Sequence, residues 1–394
     1  MARAGTLNTR QHAKVFCFFF SKKKRLPYLF WPPNVPGPLQ TAICERLGSQ
    51  YPIVQTAMGW IATPDLVVAS TNAGAFGFLA GAVMQPAALR TAIHAIKSRT
   101  EKPFGVNFHM FQPGANEIVD ILVAERVRAV SFGRGPDAAM IKRFRDAGIL
   151  CVPTVGAVKH AQKMVQLGCD MITVQGGEGG GHTGSVATTV LLPQVLDAVR
   201  VPVIAAGGFA DGRGLAAALA YGAAGIAMGT RFLMTRESPV PSATKERYVT
   251  AKTDDITVST KVDGIPQRMI RNRLLTGIET AGWAGMWLRA FGSALAMRRE
   301  TGQSLAELLR SANGMRSHGG LTLAQAMMAA SAPMLIQRAV VAGDPDHGLM
   351  ATGLVAGRIG DLPSCQELVE RIVQEARARI VALTDAEEAW RGAA

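Results

Sequence analysis

The chain has 394 residues, is 48% hydrophobic and 18% charged, and carries a formal net charge of +13. That balance suits a globular protein with a large core, in one big domain or two, and no uninterrupted apolar run is long enough to span a bilayer. The charge is concentrated: residues 1–40 hold seven Lys or Arg and no acid, which leaves +6 on the rest, enough to attract anionic ligands but too little for a nucleic-acid binder.

Residues 1–40 differ in composition from the rest of the chain. An aromatic patch at Val15–Phe20 precedes Lys22-Lys23-Lys24-Arg25 and the proline-rich Trp31–Pro38. The patch is too short for a signal-peptide core, and the stretch is expected to be a disordered basic extension, with order beginning around Leu39–Ile43. Five cysteines, Cys17, Cys44, Cys151, Cys169 and Cys365, form no C-x-x-C pair. Reduced thiols in a cytoplasmic protein without a metal site are expected.

From residue 52 short apolar runs recur, each followed by a helix-like stretch. The runs are Pro52–Ala57, Ala75–Ala80, Phe104–His109, Ala129–Phe132, Ile149–Thr154, Asp170–Gln175, Val201–Ala206 and Gly225–Met228. Helices are predicted at Pro64–Asn72, Gln85–Lys97, Asn116–Arg126, Asp137–Asp146, Val158–Leu167, Val190–Val199 and Gly212–Tyr221, the first with Thr63 as N-cap and Pro64 behind it. Alternating strands and helices imply parallel pairing with right-handed crossovers. Eight such units predict a (β/α)8 TIM barrel. The alternative, a doubly wound sheet, requires a G-x-G-x-x-G after the first strand, and Met58–Thr63 is not one.

In this register Gln175-Gly-Gly-Glu-Gly-Gly-Gly-His182 follows the sixth strand, on the face where barrel enzymes carry their chemistry. Its five glycines weaken any fold, so they make sense where backbone must approach a ligand closely. Gly207-Gly208 follows the seventh strand and Gly229-Thr230 the eighth, the usual phosphate site of barrels. Arg231 is nearby, either assisting the phosphate or making a surface ion pair.

After Glu237 the barrel pattern stops. Ser238–Asn272 is polar, proline-punctuated and without a clear period, suited to a lid over the barrel mouth. Helices are predicted at Arg273–Gly292, Ser304–Ala312 and Pro363–Leu383, and the Met- and Ala-rich stretch Leu321–Val341 is read as core rather than as a cofactor box. The expected organisation is a 1–40 extension, a 41–240 barrel, and a 241–394 lid and mainly helical region packing on it.

Three segments now resemble a known family, the nitronate monooxygenases, formerly 2-nitropropane dioxygenases. They are Gln175–Gly184, Ala205–Gly214 and Met228–Ser238, supported by Pro52–Gly59, Ser70–Gly77 and Phe104–Asn107. Flavin-type enoyl-acyl-carrier-protein reductases and some NAD(P)H:quinone reductases look similar. The resemblance implies FMN, contacted by Asn107, Gln175, Gly180, Gly181, Gly207, Gly208, Ala227, Met228, Gly229 and Thr230, with Met58 and Gly59 lining the flavin pocket. His182 matches the family's catalytic histidine, and an imidazole near neutral pH can take or give a proton. His109 is its one rival. The chain departs from the family at Gly179, where alanine is common, and at Thr352-Gly353-Leu354, where Ala-Gly-Gln is common.

The activity implied first is oxidation of alkyl nitronates with oxygen to a carbonyl compound and nitrite. The alternative is an NAD(P)H-dependent flavin reductase of an enoyl thioester or a quinone, and a third reading is a non-catalytic FMN- or metabolite-binding barrel. The expected partners are a small-molecule substrate and a second copy of the chain in a homodimer, with no nucleic acid and no membrane.

Overall fold

A computed structural model describes residues 37–393 except 111, 113, 134–136 and 282–322. The basic extension expected at 1–40 lies, up to residue 36, outside the described residues, as do the helix expected at Ser304–Ala312 and the end of the one expected at Arg273–Gly292.

Eight strand positions form a parallel barrel. They are β1 (Ile53–Gln55), β2 (Phe76–Leu79), β3 (Gly105–Asn107), β4 (Ala129–Ser131), a fifth position in two pieces, β5 (Leu150–Cys151) and β6 (Thr154–Val155), then β7 (Ile172–Gln175), and, later in the chain, β9 (Val203–Ala206) and β10 (Gly225–Met228). The sheet runs β5-β4-β3-β2-β1-β10-β9-β7-β6. The two ends of that order are one continuous run of chain. Leu150 and Cys151 pair with β4, while Thr154 and Val155 pair with β7. Pro153, which has no N–H to give, sits between and accepts from Thr173 N at 2.8 Å. The fifth strand hands over from one neighbour to the other, and this closes the barrel.

The apolar runs predicted as strands are buried on both faces, as parallel strands under helices must be; β2, β9 and β10 are buried at every residue. Inside the barrel Val54, Phe76, Phe78, Ala129, Val152, Met171, Ile204, Ala206 and Ala227 form one cluster. Helix α1 (Ala42–Leu47) adds Ile43 and Leu47 to it. Thr41 Oγ1 donates to Ala224 O at 2.5 Å, just before β10. Thus α1 plugs the N-terminal end of the barrel and leaves the C-terminal end for the site.

The outer ring follows the predicted helices within two residues: α2 (Pro64–Asn72), α3 (Pro86–Lys97), α4 (Ala115–Ala124), α5 (Ala138–Asp146), α6 (Val158–Gln166), α7 (Thr188–Ala198) and α8 (Gly212–Ala220). Thr63 does stand at the N-cap of α2 with Pro64 behind it, but its hydroxyl makes no cap bond; Asp137 and Asp211 cap α5 and α8 instead. After β10 the chain forms only a four-residue helix, α9 (Thr230–Leu233). The vacant ring position between α8 and α2 is taken by the last helix, α13 (Cys365–Ala393). Gly212 N donates to Glu375 Oε2 across that contact at 2.9 Å.

Between α9 and α13 lie α10 (Ser242–Thr250), strands β11 (Ile256–Ser259) and β12 (Gln267–Ile270), α11 (Arg273–Glu279) and α12 (Leu323–Val340). The segment expected to be an aperiodic lid is therefore structured. Its strands escape the sequence pattern because each has only four residues and β11 is half exposed. They form an antiparallel hairpin, and β12 also pairs with β8 (Gly181–His182) from the glycine-rich loop. Through this pairing the hairpin is joined to the glycine-rich loop that follows β7.

Candidate active site

One cavity opens at the C-terminal ends of the strands, with about 330 Å³ of free space, at the small end of the roughly 300–1,000 Å³ usual for cofactor and ligand pockets. Its lining contains every residue predicted to contact or flank a flavin: Met58, Gly59, Asn107, Gln175, Gly180, Gly181, Gly207, Gly208, Ala227, Met228, Gly229 and Thr230. Residues far apart in sequence converge there because each lies at the end of its own strand. Thr56, Trp60 and Phe209, which the sequence did not mark, also line it, as do Glu178 of the glycine-rich loop and Thr352 and Gly353 of the late segment. Trp60 holds φ at 61°, a conformation that a bulky residue adopts only when its surroundings enforce it.

The glycine-rich loop is fixed in place. Glu178 accepts from Thr188 N at 2.9 Å and from Thr188 Oγ1 at 2.6 Å, tying the loop to the start of α7. Gln175 Nε2 donates to His182 O at 2.9 Å. Arg268 on β12 donates to Gly177 O at 2.7 Å. Gly353 N donates to Thr230 Oγ1 at 2.8 Å and Leu354 N to Glu178 O at 2.9 Å, so the late segment ties two rims of the cavity together.

The cradle fits a flavin phosphate. Gly207 and Gly208 adopt φ of 96° and 85°, which favour glycine. Among the described residues the N–H groups of Gly208 and Gly229 donate to no protein acceptor. Both line the cavity, so they present free donors to an anion. At the other side Asn107 Nδ2 donates to Ser131 O and Oγ at 3.1 and 3.2 Å, which leaves Oδ1 as its open acceptor.

His182 is outside the lining but follows directly on Gly181, which is part of it, and its side chain is 47% exposed. Its Nε2 lies 2.6 Å from Asp263 Oδ2, and Gln267 Nε2 lies 2.5 Å from the same oxygen. Burial pushes the Asp263 carboxyl up, but hydrogen bonds from His182, Ile265 N and Gln267 outweigh it and hold the carboxyl below its ordinary value. No sequence signal marked Asp263 or Gln267, since their approach depends on the hairpin's pairing with β8.

One expectation needs correction. Arg231 neither faces the cavity nor sits on the surface. It is 3% exposed, pairs with Asp361 at 2.7 Å and donates to Met234 O at 2.8 Å. Burial lowers its pKa, and Asp361 offsets part of that. His109 is exposed, outside the cavity lining, with its N–H on Gln112 Oε1.

A family model described as nitronate monooxygenase matches residues 40–375. The chain belongs to that family. It is accordingly a flavin-dependent oxidoreductase. Two relatives bear the name (3aS,4S,5R,7aS)-5-hydroxy-7a-methyl-1-oxo-octahydro-1H-indene-4-carboxyl-CoA dehydrogenase. The one from Rhodococcus jostii is 47% identical, over 88% of this chain and 98% of its own length. The one from Mycobacterium tuberculosis is 48% identical, over 86% and 96%. FabK from Thermotoga maritima superposes with a TM-score of 0.71 at 31% identity, over 88% of this chain and 99% of its own. Nitroalkane oxidase from Streptomyces ansochromogenes does so at 0.69 and 27%, over 87% and 100%. Among the described residues no helix is long and apolar enough to cross a membrane.

Proposed function

We propose that the chain is an FMN-dependent dehydrogenase of a coenzyme A thioester with a bicyclic, hydroxylated acyl skeleton, the substrate class in the name of its two 47–48% relatives. The observation that carries this is their identity over 96–98% of their own lengths, which takes in the hairpin and the C-terminal cover as well as the barrel. The site supports it. Trp60, Ile61, Leu233, Ile336 and Val340 give the cavity apolar walls suited to a hydrocarbon skeleton. The free donors of Gly208 and Gly229 suit the single phosphate of a mononucleotide.

FMN, when bound, supplies two-electron redox chemistry. The chain's residues bind, orient and move a proton. Gly208, Gly229 and Thr230 would hold the FMN phosphate, Gln175 and Asn107 would contact its ring, and Met58 and Gly59 would line its pocket. His182 carries the proton. A thioester acidifies the carbon beside its carbonyl, and an imidazole placed next to such a carbon takes that proton at neutral pH.

Nitronate oxidation, the activity first implied by the sequence, is the second reading. It is favoured by the family model and by the likeness to nitroalkane oxidase at 27% identity. An anaerobic titration of the purified yellow protein separates the two. Bleaching by the bicyclic hydroxy-carboxyl-CoA thioester, with indifference to propyl-2-nitronate, supports the dehydrogenase. Flavin reduction by the nitronate alone supports the monooxygenase. Fast bleaching by NADH or NADPH, with reoxidation by an enoyl-CoA, moves the assignment to a reductase. A colourless protein that cannot be reconstituted with FMN removes all three.

A further inference from the structure

Asp263 lies in the turn between β11 and β12, 81 residues from His182 in sequence. The turn is anchored. Val262 is fully buried and packs with Met269, Leu275 and Ile278. Asp263 Oδ1 accepts from Ile265 N at 3.1 Å. The strand register sets Gln267 directly opposite His182. Gln267 is 5% exposed and the Asp263 side chain 13%, whereas His182 is 47% exposed. A well-packed carboxylate is therefore presented to a half-open imidazole.

The hydrogen-bond pattern determines the proton positions. Asp263 takes one donor on Oδ1 and two groups on Oδ2, so it acts as an ionised acceptor. At 2.6 Å from that oxygen, Nε2 of His182 must carry a hydrogen, since two lone pairs at this distance repel. Gln267 Nε2 is also 3.1 Å from His182 Nε2. That approach is two donors converging on one oxygen, not a bond between them. In the neutral ring Nδ1 is then the only nitrogen with a free lone pair.

We propose that Asp263 is a positioning residue for His182: from the hairpin it fixes the Nε2–H tautomer and leaves Nδ1 as the nitrogen that exchanges a proton with substrate. This rests on the reading that His182 moves a proton. The hairpin then has a defined task beyond cover, because the ring is in the working tautomer only while the hairpin is paired with β8.

The test combines kinetics with a readout independent of turnover. In the FMN-loaded enzyme, histidine-selective 15N NMR assigns the tautomer of His182, with His182→Ala identifying its signals. The wild type is expected as Nε2–H. In Asp263→Asn an amide donor facing Nε2 shifts the ring toward Nδ1–H. Kinetics use whichever of the CoA thioester or the neutral nitroalkane reduces the flavin, because a nitronate has already lost the proton that His182 would take. Asp263→Asn is expected to lower kcat by about 10²-fold or more with little change in KM, as loss of a positioned acid–base group does. The same substitution in a His182→Ala background is expected to add nothing. A wild-type Nδ1–H signal overturns the proposal. So does normal kcat in Asp263→Asn beside an impaired His182→Ala, or a full further loss in the double variant, which marks a merely structural role. His182→Ala at full rate overturns the proton-transfer reading instead, and the spectrum alone then decides whether Asp263 sets the tautomer.

Discussion

The side chain of Gln175 occupies the space that a β-carbon on Gly179 would need. An atom added there would lie 2.5 Å from Gln175 Nε2 and 2.6 Å from its Cγ. Gln175 in this position donates to His182 O at 2.9 Å. The glycine that distinguishes this chain from the common alanine is thus tied to one glutamine rotamer. Gly179→Ala is expected to push the amide off the His182 carbonyl and cost about 1 kcal/mol, the net value of one neutral hydrogen bond. A thermal melt reads the loss. Gln175→Ala in the same chain removes the collision, so the double variant should melt close to Gln175→Ala alone. Full additivity of the two losses would show that they do not collide.

Gly180 meets backbone instead. A β-carbon on it would sit 2.5 Å from Gly353 N and from Thr352 C. Gly353 is held by Thr230 Oγ1, and Leu354 by Glu178 O, so the late segment cannot retreat without opening both rims. Gly180→Ala is expected to cost more than Gly179→Ala, about 2 kcal/mol or more as overpacking against fixed backbone does, and to purify with less bound flavin. A flavin-to-protein absorbance ratio and a melting temperature equal to wild type would refute the seal.

Arg231 gives a prediction opposite to its sequence reading. Its charge is buried and matched by Asp361, whose own side chain is 44% exposed. Removing the partner leaves a buried cation, so Asp361→Asn is expected to destabilise by about 2 kcal/mol, below the roughly 3–5 of a fully buried pair because Asp361 is half in solvent. Arg231→Met, which removes the charge and keeps the bulk, is expected to cost less. Neither should change flavin affinity. A large loss of flavin in Arg231→Met, with its melting temperature intact, would restore the phosphate role.

The barrel was legible because its evidence is local and repeated. Eight apolar runs each bury both faces, and seven intervening helices carry their own periodicity, so every strand position was readable before pairing was known. The cavity lining was legible for a related reason: Gly207, Gly208, Gly229 and the glycines after Gln175 all sit at strand ends, and strand order alone brings them to one face. Asp263 and Gln267 were not legible. Each is an ordinary polar residue in a polar stretch, and only the register of a four-residue strand with a two-residue one places them at His182. Arg231 misled for the converse reason. It comes after a phosphate-type turn, but its direction is set by Asp361, 130 residues later. Trp60 belongs with these, since nothing in Met58–Thr63 signals a positive φ.

Stability should fall on acidification through a few identifiable carboxyls. Burial raises Asp211, Asp263 and Asp361 alike. Hydrogen bonds outweigh it, from Arg213 and Gly214 N at Asp211, from His182 and Ile265 N at Asp263, and from Arg371 and Arg231 at Asp361. Each therefore titrates below the ordinary 3.8 in the folded chain, so between those values the unfolded chain binds more protons. The stability they contribute is fully present above the ordinary value and is lost as pH falls through the depressed one. At the alkaline end burial pushes the Cys169 and Cys365 thiols up to about 12 from 9.0. The unfolded thiols ionise first, so stability is full below the ordinary value and declines above it. Melting temperature against pH should show a plateau between these limits, with an acid limb that is shallower in Asp361→Asn, which has one carboxyl fewer to protonate. An acid limb of unchanged steepness in that variant would mean that the Arg231 pair contributes nothing to the linkage, and that other carboxyls carry the acid sensitivity.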